Sequence, residues 1–138
     1  MTENPTVLFI CTGNYYRSRF CEIYYNHLNQ SSKAISKGLL ADQGLTEGPI
    51  SIHTQTYFSE LKIPIDKHRF PEQLETSHLN KAKTVIALCE REHRPMMDKL
   101  FPDWADRIEY WQVNDIDFTN PKEALPELKR LVETVCKQ

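Results

Sequence analysis

Two uninterrupted apolar runs stand out along the chain, Val7-Leu8-Phe9-Ile10 and Val85-Ile86-Ala87-Leu88. Short runs without polar alternation suit strands buried on both faces, as in parallel sheets. They predict strands over Thr6–Ile10 and Thr84–Cys89. After each run the period lengthens. Phe20, Ile23, Tyr24 and Leu28 recur at helical spacing after the first, and His93, Met96, Met97, Leu100 and Phe101 after the second, with Pro102 as a stop. A last stripe, Leu128, Leu131, Val132 and Val135, belongs to a helix starting at Pro121 or Pro126, both acceptable first-turn prolines. Weaker patterns predict strands over Ala34–Leu39 and Arg107–Val113, a helix over Thr54–Leu61, and a loop over Ala41–Pro49. Pro64, Pro71 and Thr76-Ser77 mark a broken, short-helical connection.

Strands alternating with helices predict an α/β fold: one domain over residues 1–138, with a four-stranded parallel sheet and helices on both faces. Crossover helices bring every loop that follows a strand to one sheet edge, where open α/β sheets bind ligands. That edge gathers the segment after Ile10, the loop after Ser36, Cys89-Glu90 and the loop Asn114–Asn120.

A chain of 138 residues can bury about two-thirds of its unfolded surface, enough for one core. The net charge of −2, without long blocks of one sign, gives no support for nucleic-acid partners. No apolar stretch approaches the roughly 20 residues of a membrane span, so a cytoplasmic protein without a membrane partner is expected. The four cysteines, at 11, 21, 89 and 136, show neither Cys-x-x-Cys spacing nor histidines at ligand spacing. No metal or other cofactor is implied. Cys21, Cys89 and Cys136 read as reduced apolar filler.

Cys11 differs because of the residues after it. The segment Cys11-Thr12-Gly13-Asn14-Tyr15-Tyr16-Arg17-Ser18 joins a strand to a helix that Ser18 helps to open. Successive amides at such a turn form an anion nest that can wrap a tetrahedral oxyanion. Cysteines held in that field ionise readily, and the thiolate is the nucleophile. Arg17 adds a planar fork that holds two phosphate oxygens at once. Asn14 suits a left-handed position in the loop, and Ser18 can donate to the sulfur or cap the helix. Together these residues make Thr12–Ser18 a phosphate-binding loop, with Cys11 as its nucleophile. Displacing an alcohol from phosphorus also needs a proton donor, and the loop Asn114-Asp115-Ile116-Asp117 offers two.

The run Val7–Cys11 with Thr12-Gly13-Asn14-x-x-Arg17-Ser18-x-x-x-Glu22 resembles the N-terminal signature of the low-molecular-weight protein tyrosine phosphatases. The resemblance implies strand order 2-1-3-4 and hydrolysis of phosphotyrosyl proteins or small phosphomonoesters through a phosphocysteine. It implies Asp115 as the acid, aligned on Trp111-Gln112-Val113, with Asp117 as the alternative. It also implies that Asn14 and Ser18 are supported by Ser36 and His68, while Glu22 reads as a helix-surface or packing residue. The chain departs from the family pattern at Tyr15, at Tyr16 where a second cysteine is frequent, at Arg19, Cys21 and Ile116. Tyr15 either packs beside the loop or walls the pocket mouth against an aromatic leaving group. Related phosphoarginine phosphatases tend to carry Thr at that position, which disfavours their substrate. An arsenate reductase of the same fold is the main rival, but its relay needs two further thiols, and only Cys89 is placed for one. A phosphate-binding module without catalysis would need neither Cys11 nor an acid.

Overall fold

Element order in the computed structural model, which describes residues 5–136, begins with β1 (Val7–Cys11) and α1 (Arg17–Leu28). Then come β2 (Ala34–Gly38), a 3-10 turn at Ala41–Gln43, α2 (Ile52–Glu60), α3 (Thr76–Lys81) and β3 (Thr84–Ala87). The chain ends with α4 (Glu90–Leu100), β4 (Glu109–Tyr110) and α5 (Pro121–Cys136). The strands pair in parallel in the order β2-β1-β3-β4, so β1 is central and the chain reverses direction across the sheet between β1 and β3.

β1 is buried at all positions, and alternate side chains serve two cores. Val7, Phe9 and Cys11 pack with Phe20 of α1, Phe58 of α2 and Leu125, Leu128 and Val132 of α5. Leu8 and Ile10 pack on the opposite face with Leu79 of α3 and Met97 of α4. Burial on both faces explains why the run is continuously apolar. Aromatic stacking ties the first layer together: the Phe20 ring lies 4.9 Å from Phe58 and 5.5 Å from Tyr24.

The element ends depart from the sequence pattern for local reasons. α2 starts at Ile52 rather than Thr54 because Ser51 caps it, its hydroxyl accepting the His53 N–H at 3.2 Å. α5 starts at Pro121, where the Asn120 side chain accepts the Lys122 N–H at 2.9 Å, and Pro126 is carried inside the helix. β3 ends at Ala87, not Cys89, because Cys89 becomes the N-cap of α4. β4 shrinks from Arg107–Val113 to two residues. Its continuation still follows β3, with Trp111 N–H on Ala87 O and Val113 N–H on Leu88 O, both at 2.8 Å. The Glu90 N–H then takes Trp111 O at 2.9 Å, and the regular ladder stops. Leu28 and Leu100 lie outside their predicted apolar faces and are exposed.

Candidate active site

The loop from Cys11 to Arg17 is held from two sides. β2 runs on beside it, with Leu39 N–H on Cys11 O and Leu40 N–H on Thr12 O, each at 2.9 Å. At the start of α2, Ser51 N–H meets Tyr15 O at 2.9 Å and the Thr54 hydroxyl meets Tyr16 O at 3.1 Å. Gly38 lets β2 come this close. A Cβ there would stand 2.8 Å from Thr12 O and 2.9 Å from Asn14 N, both backbone atoms that cannot turn away. Gly38→Ala is therefore expected to cost about 1–3 kcal/mol of stability through overpacking and to weaken phosphate binding by displacing the loop. Thermal melts and calorimetry check this; a wild-type melting point and affinity would show that the contact has slack.

Asn14 organises the loop from inside. It is fully buried in the left-handed region, at φ 53°, and its own N–H points at Cys11 Sγ from 3.3 Å. The side chain uses all four of its hydrogen-bonding positions. Its amide donates to Ser18 Oγ at 2.8 Å and to Ser36 Oγ at 2.9 Å. Its carbonyl accepts from Arg69 Nη1 at 3.1 Å and from the Glu72 N–H at 3.0 Å. Because Ser18 Oγ already accepts from Asn14, its proton is free for Cys11 Sγ, 2.9 Å away. Ser36 likewise accepts from Asn14 and Arg69 and gives its proton to Glu22. A continuous chain of donors thus runs from the Glu22–Arg69 ion pair, 2.7 Å, to the sulfur.

Three expectations change here. His68 is exposed and takes no part in this network, and its neighbour Arg69 occupies the supporting position. Glu22, read as a helix-surface or packing residue, is partly buried and forms the anionic end of this network. Ser18 lies inside α1 and does not cap it; Tyr16 is the N-cap, without a side-chain capping bond.

Arg17 is buried, and a second charged group fixes its fork. Nη1 donates to Glu92 Oε1 at 3.1 Å and to Val113 O at 3.0 Å, and Nη2 to Glu92 Oε2 at 2.7 Å. Glu92 also accepts from the Thr12 hydroxyl. His93, fully buried, takes the Cys89 N–H on Nδ1 at 3.1 Å, so its proton sits on Nε2, 3.1 Å from Glu92 Oε2 and 3.2 Å from Thr12 Oγ1. Sequence reasoning missed Glu92 altogether and read His93 as one position of a packing stripe.

Burial works against the charge on Arg17, but Cys11, Glu92 and Asp115 together hold its pKa above the ordinary value. Burial alone would raise the Glu92 carboxyl, yet the bonds from His93, Arg17 and Thr12 hold it well below the usual carboxylate range. Burial pushes the His93 imidazole down, against its bond to Glu92 and helped by Arg17. The unfolded chain protonates His93 below about pH 6.5 and Glu92 below about pH 4.5, protons the folded site refuses. Stability is thus complete above pH 6.5, declines below it, and falls more steeply below 4.5. A melting point that stays level from pH 7 to 4 would contradict this.

Asp115 reaches the site from the loop after β4. Its Oδ1 accepts the Ile116 N–H at 2.9 Å and its Oδ2 stands 3.8 Å from Arg17 Nη2. It shares a cavity of about 70 Å³ with Cys11, Gly13, Tyr15, Tyr16, Arg17 and Thr46. Asp117 is exposed and does not line that cavity. A larger cleft of about 460 Å³ lies between α2 and α5, but none of its lining residues belongs to the Cys11 loop. A small cavity with a sulfur at its floor, a fixed guanidinium and a carboxylate at its rim suits a tetrahedral oxyanion.

The family model of low molecular weight phosphotyrosine protein phosphatase matches residues 6–138. The chain belongs to this family. As a member of it, the protein is an enzyme of the cysteine-dependent phosphatase class. Solved structures agree on the fold. A low molecular weight protein tyrosine phosphatase from T. tengcongensis is 27% identical, with 96% of this chain and 98% of that one covered at a TM-score of 0.78. The YwlE arginine phosphatase from Geobacillus stearothermophilus is 24% identical over 96% and 91% of the two chains, TM-score 0.75. A thioredoxin-dependent arsenate reductase from Corynebacterium glutamicum is 22% identical over 99% of this chain and 62% of the other, TM-score 0.72. No curated protein matches the chain in sequence.

Among family features, the remaining cysteines differ from Cys11 in their surroundings. Cys21 is fully buried, and burial first, then Cys11, pushes its thiol well up, so it stays protonated and packs. Cys89 gives its thiol proton to Asn114 Oδ1 at 3.3 Å, and Cys136 accepts from Asn29 at 2.9 Å.

Proposed function

We propose that the protein hydrolyses phosphomonoesters, with phosphotyrosyl proteins as its main substrate class and small phosphomonoesters as the second. The observation that carries this reading is Cys11 Sγ, met by the Asn14 N–H at 3.3 Å and the Ser18 hydroxyl at 2.9 Å, in one cavity with Arg17 and Asp115. The Cys11 thiolate attacks phosphorus, the S–P bond forms and the ester O–P bond breaks. Asp115 passes its proton to the leaving oxygen. The Asp115 carboxylate then takes a proton from water as that water attacks the phosphocysteine, releasing phosphate and restoring the thiolate. Arg17, held by Glu92, stabilises the charge on the transferring group, and the loop amides bind its other oxygens.

Tyr15, half-buried at the cavity, supports an aromatic leaving group over a small one, since ring pairs add roughly 0.5–1.5 kcal/mol beyond area. Against arsenate reduction, Cys89 is engaged with Asn114 and residues 90–100 contain no cysteine to complete a relay. A working thiolate and three further unpaired cysteines suit a reducing compartment, and we infer the cytoplasm. Among the described residues no helix is long and apolar enough to cross a membrane. The test sets turnover of phosphotyrosine, phosphoserine and phosphoarginine peptides beside thiol-dependent arsenate reduction. Preferential phosphotyrosine hydrolysis is expected. Arsenate reduction without hydrolysis would overturn the reading.

A further inference from the structure

Tyr16 carries an unexplained polar atom. The residue is only 7% exposed, and its hydroxyl is buried with no hydrogen-bond partner among the described residues. Its ring is packed edge-on against His53, 6.4 Å between centroids, and its backbone carbonyl accepts from the Thr54 hydroxyl. The residue lines the cavity together with Cys11, Arg17 and Asp115. A buried hydroxyl without an acceptor costs folding free energy, and such an atom beside a ligand cavity is accounted for when the ligand brings the acceptor.

We propose that the Tyr16 hydroxyl is a substrate-binding donor of this enzyme, giving its hydrogen bond to a non-bridging oxygen of the phosphoryl group. The inference rests on the phosphatase reading above. In the proposed reaction Asp115, which also lines the cavity, carries the proton it will transfer and so offers a donor of its own. Burial, partly offset by Arg17 and reinforced by Asp115, raises the Tyr16 phenol to about 12, so it remains a donor throughout the working range. It stands where the resemblance expects a second loop cysteine, and a phenol donates far more strongly than a thiol. The substitution would thus put an additional phosphate contact where a thiol is frequent.

Tyr16→Phe removes one oxygen atom that has no partner among the described residues. Its melting point without ligand is expected to equal or exceed that of the wild type. Its affinity for inorganic phosphate, by calorimetry, is expected to fall about 10- to 100-fold, the size of a hydrogen bond to a charged group. The kcat/KM for aryl phosphates is expected to fall by a similar factor whatever the leaving group, because the contact is to the phosphoryl oxygens. An unchanged phosphate affinity in Tyr16→Phe, with wild-type hydrolysis intact, overturns the proposed contact and leaves the phosphatase reading standing. A Tyr16-dependent phosphate affinity in a protein that hydrolyses no monoester supports the contact and overturns the phosphatase reading.

Discussion

Replacing Cys11 with Ser is expected to remove turnover, by on the order of 10⁴–10⁶-fold as for loss of a covalent nucleophile, while phosphate still binds. The reason lies in what surrounds the sulfur. Asn14 N–H and the Ser18 hydroxyl both donate toward it, and Arg17 adds positive charge nearby. These groups are donors and a cation, suited to holding negative charge. None can take a proton, so a serine hydroxyl placed there has no base to activate it. Phosphate binding relies on the loop amides and the Arg17 fork, which the substitution leaves alone. Single-turnover kinetics with an aryl phosphate and phosphate calorimetry on the same sample check both halves. Near-wild-type hydrolysis by Cys11→Ser would remove the covalent intermediate.

What the sequence disclosed was local, and what it concealed was distant. The Val7–Ile10 run, the Gly13-Asn14 turn and Arg17 lie within a dozen residues, so backbone geometry and chemistry could be inferred together. The second apolar run and the stripe after it placed the rest of the loop edge. Glu92 was invisible because its meaning comes from Arg17, 75 residues away, and on its own helix it looks like one more solvated acid. Arg69 was missed by a single residue. His68 and Arg69 are neighbours in an irregular connection without periodicity, and only the packing of residues 69–74 against β2 and Asn14 decides which one faces the loop. β4 was overestimated because Trp111 and Val113 are buried like strand residues and still bond to Ala87 and Leu88, although the regular strand spans only Glu109–Tyr110.

The loss of a direct histidine support also changes the electrostatics of the hub. Arg69 shares Glu22 with Arg19, whose Nε lies 3.9 Å from the same carboxylate oxygen. Arg69 pairs with Glu22 at 2.7 Å and Glu72 at 3.3 Å, and Lys37 pairs with Glu72 as well, so the two acids behind the loop are shared among several cations.

Asp115→Asn is expected to slow hydrolysis of poor leaving groups by about 10²–10⁴-fold and that of activated aryl phosphates far less. Asp115 is the carboxylate that lines the cavity, with Oδ2 3.8 Å from Arg17 Nη2 and Oδ1 fixed by the Ile116 N–H. In the proposed reaction it is the group that protonates the leaving oxygen. A leaving group that is already a stable anion needs little protonation, so the donor's contribution shrinks as leaving-group acidity rises. An asparagine keeps the loop's shape, since its side-chain oxygen still accepts the Ile116 N–H, but supplies no acid. Asp117, exposed and outside the cavity, should give a mild effect as Asn with either kind of substrate. The measurement is turnover against leaving-group pKa for both variants. A steep dependence appearing in Asp117→Asn and missing in Asp115→Asn would transfer the proton-donor role to Asp117, and with it require that the 115–119 turn rearrange when substrate binds.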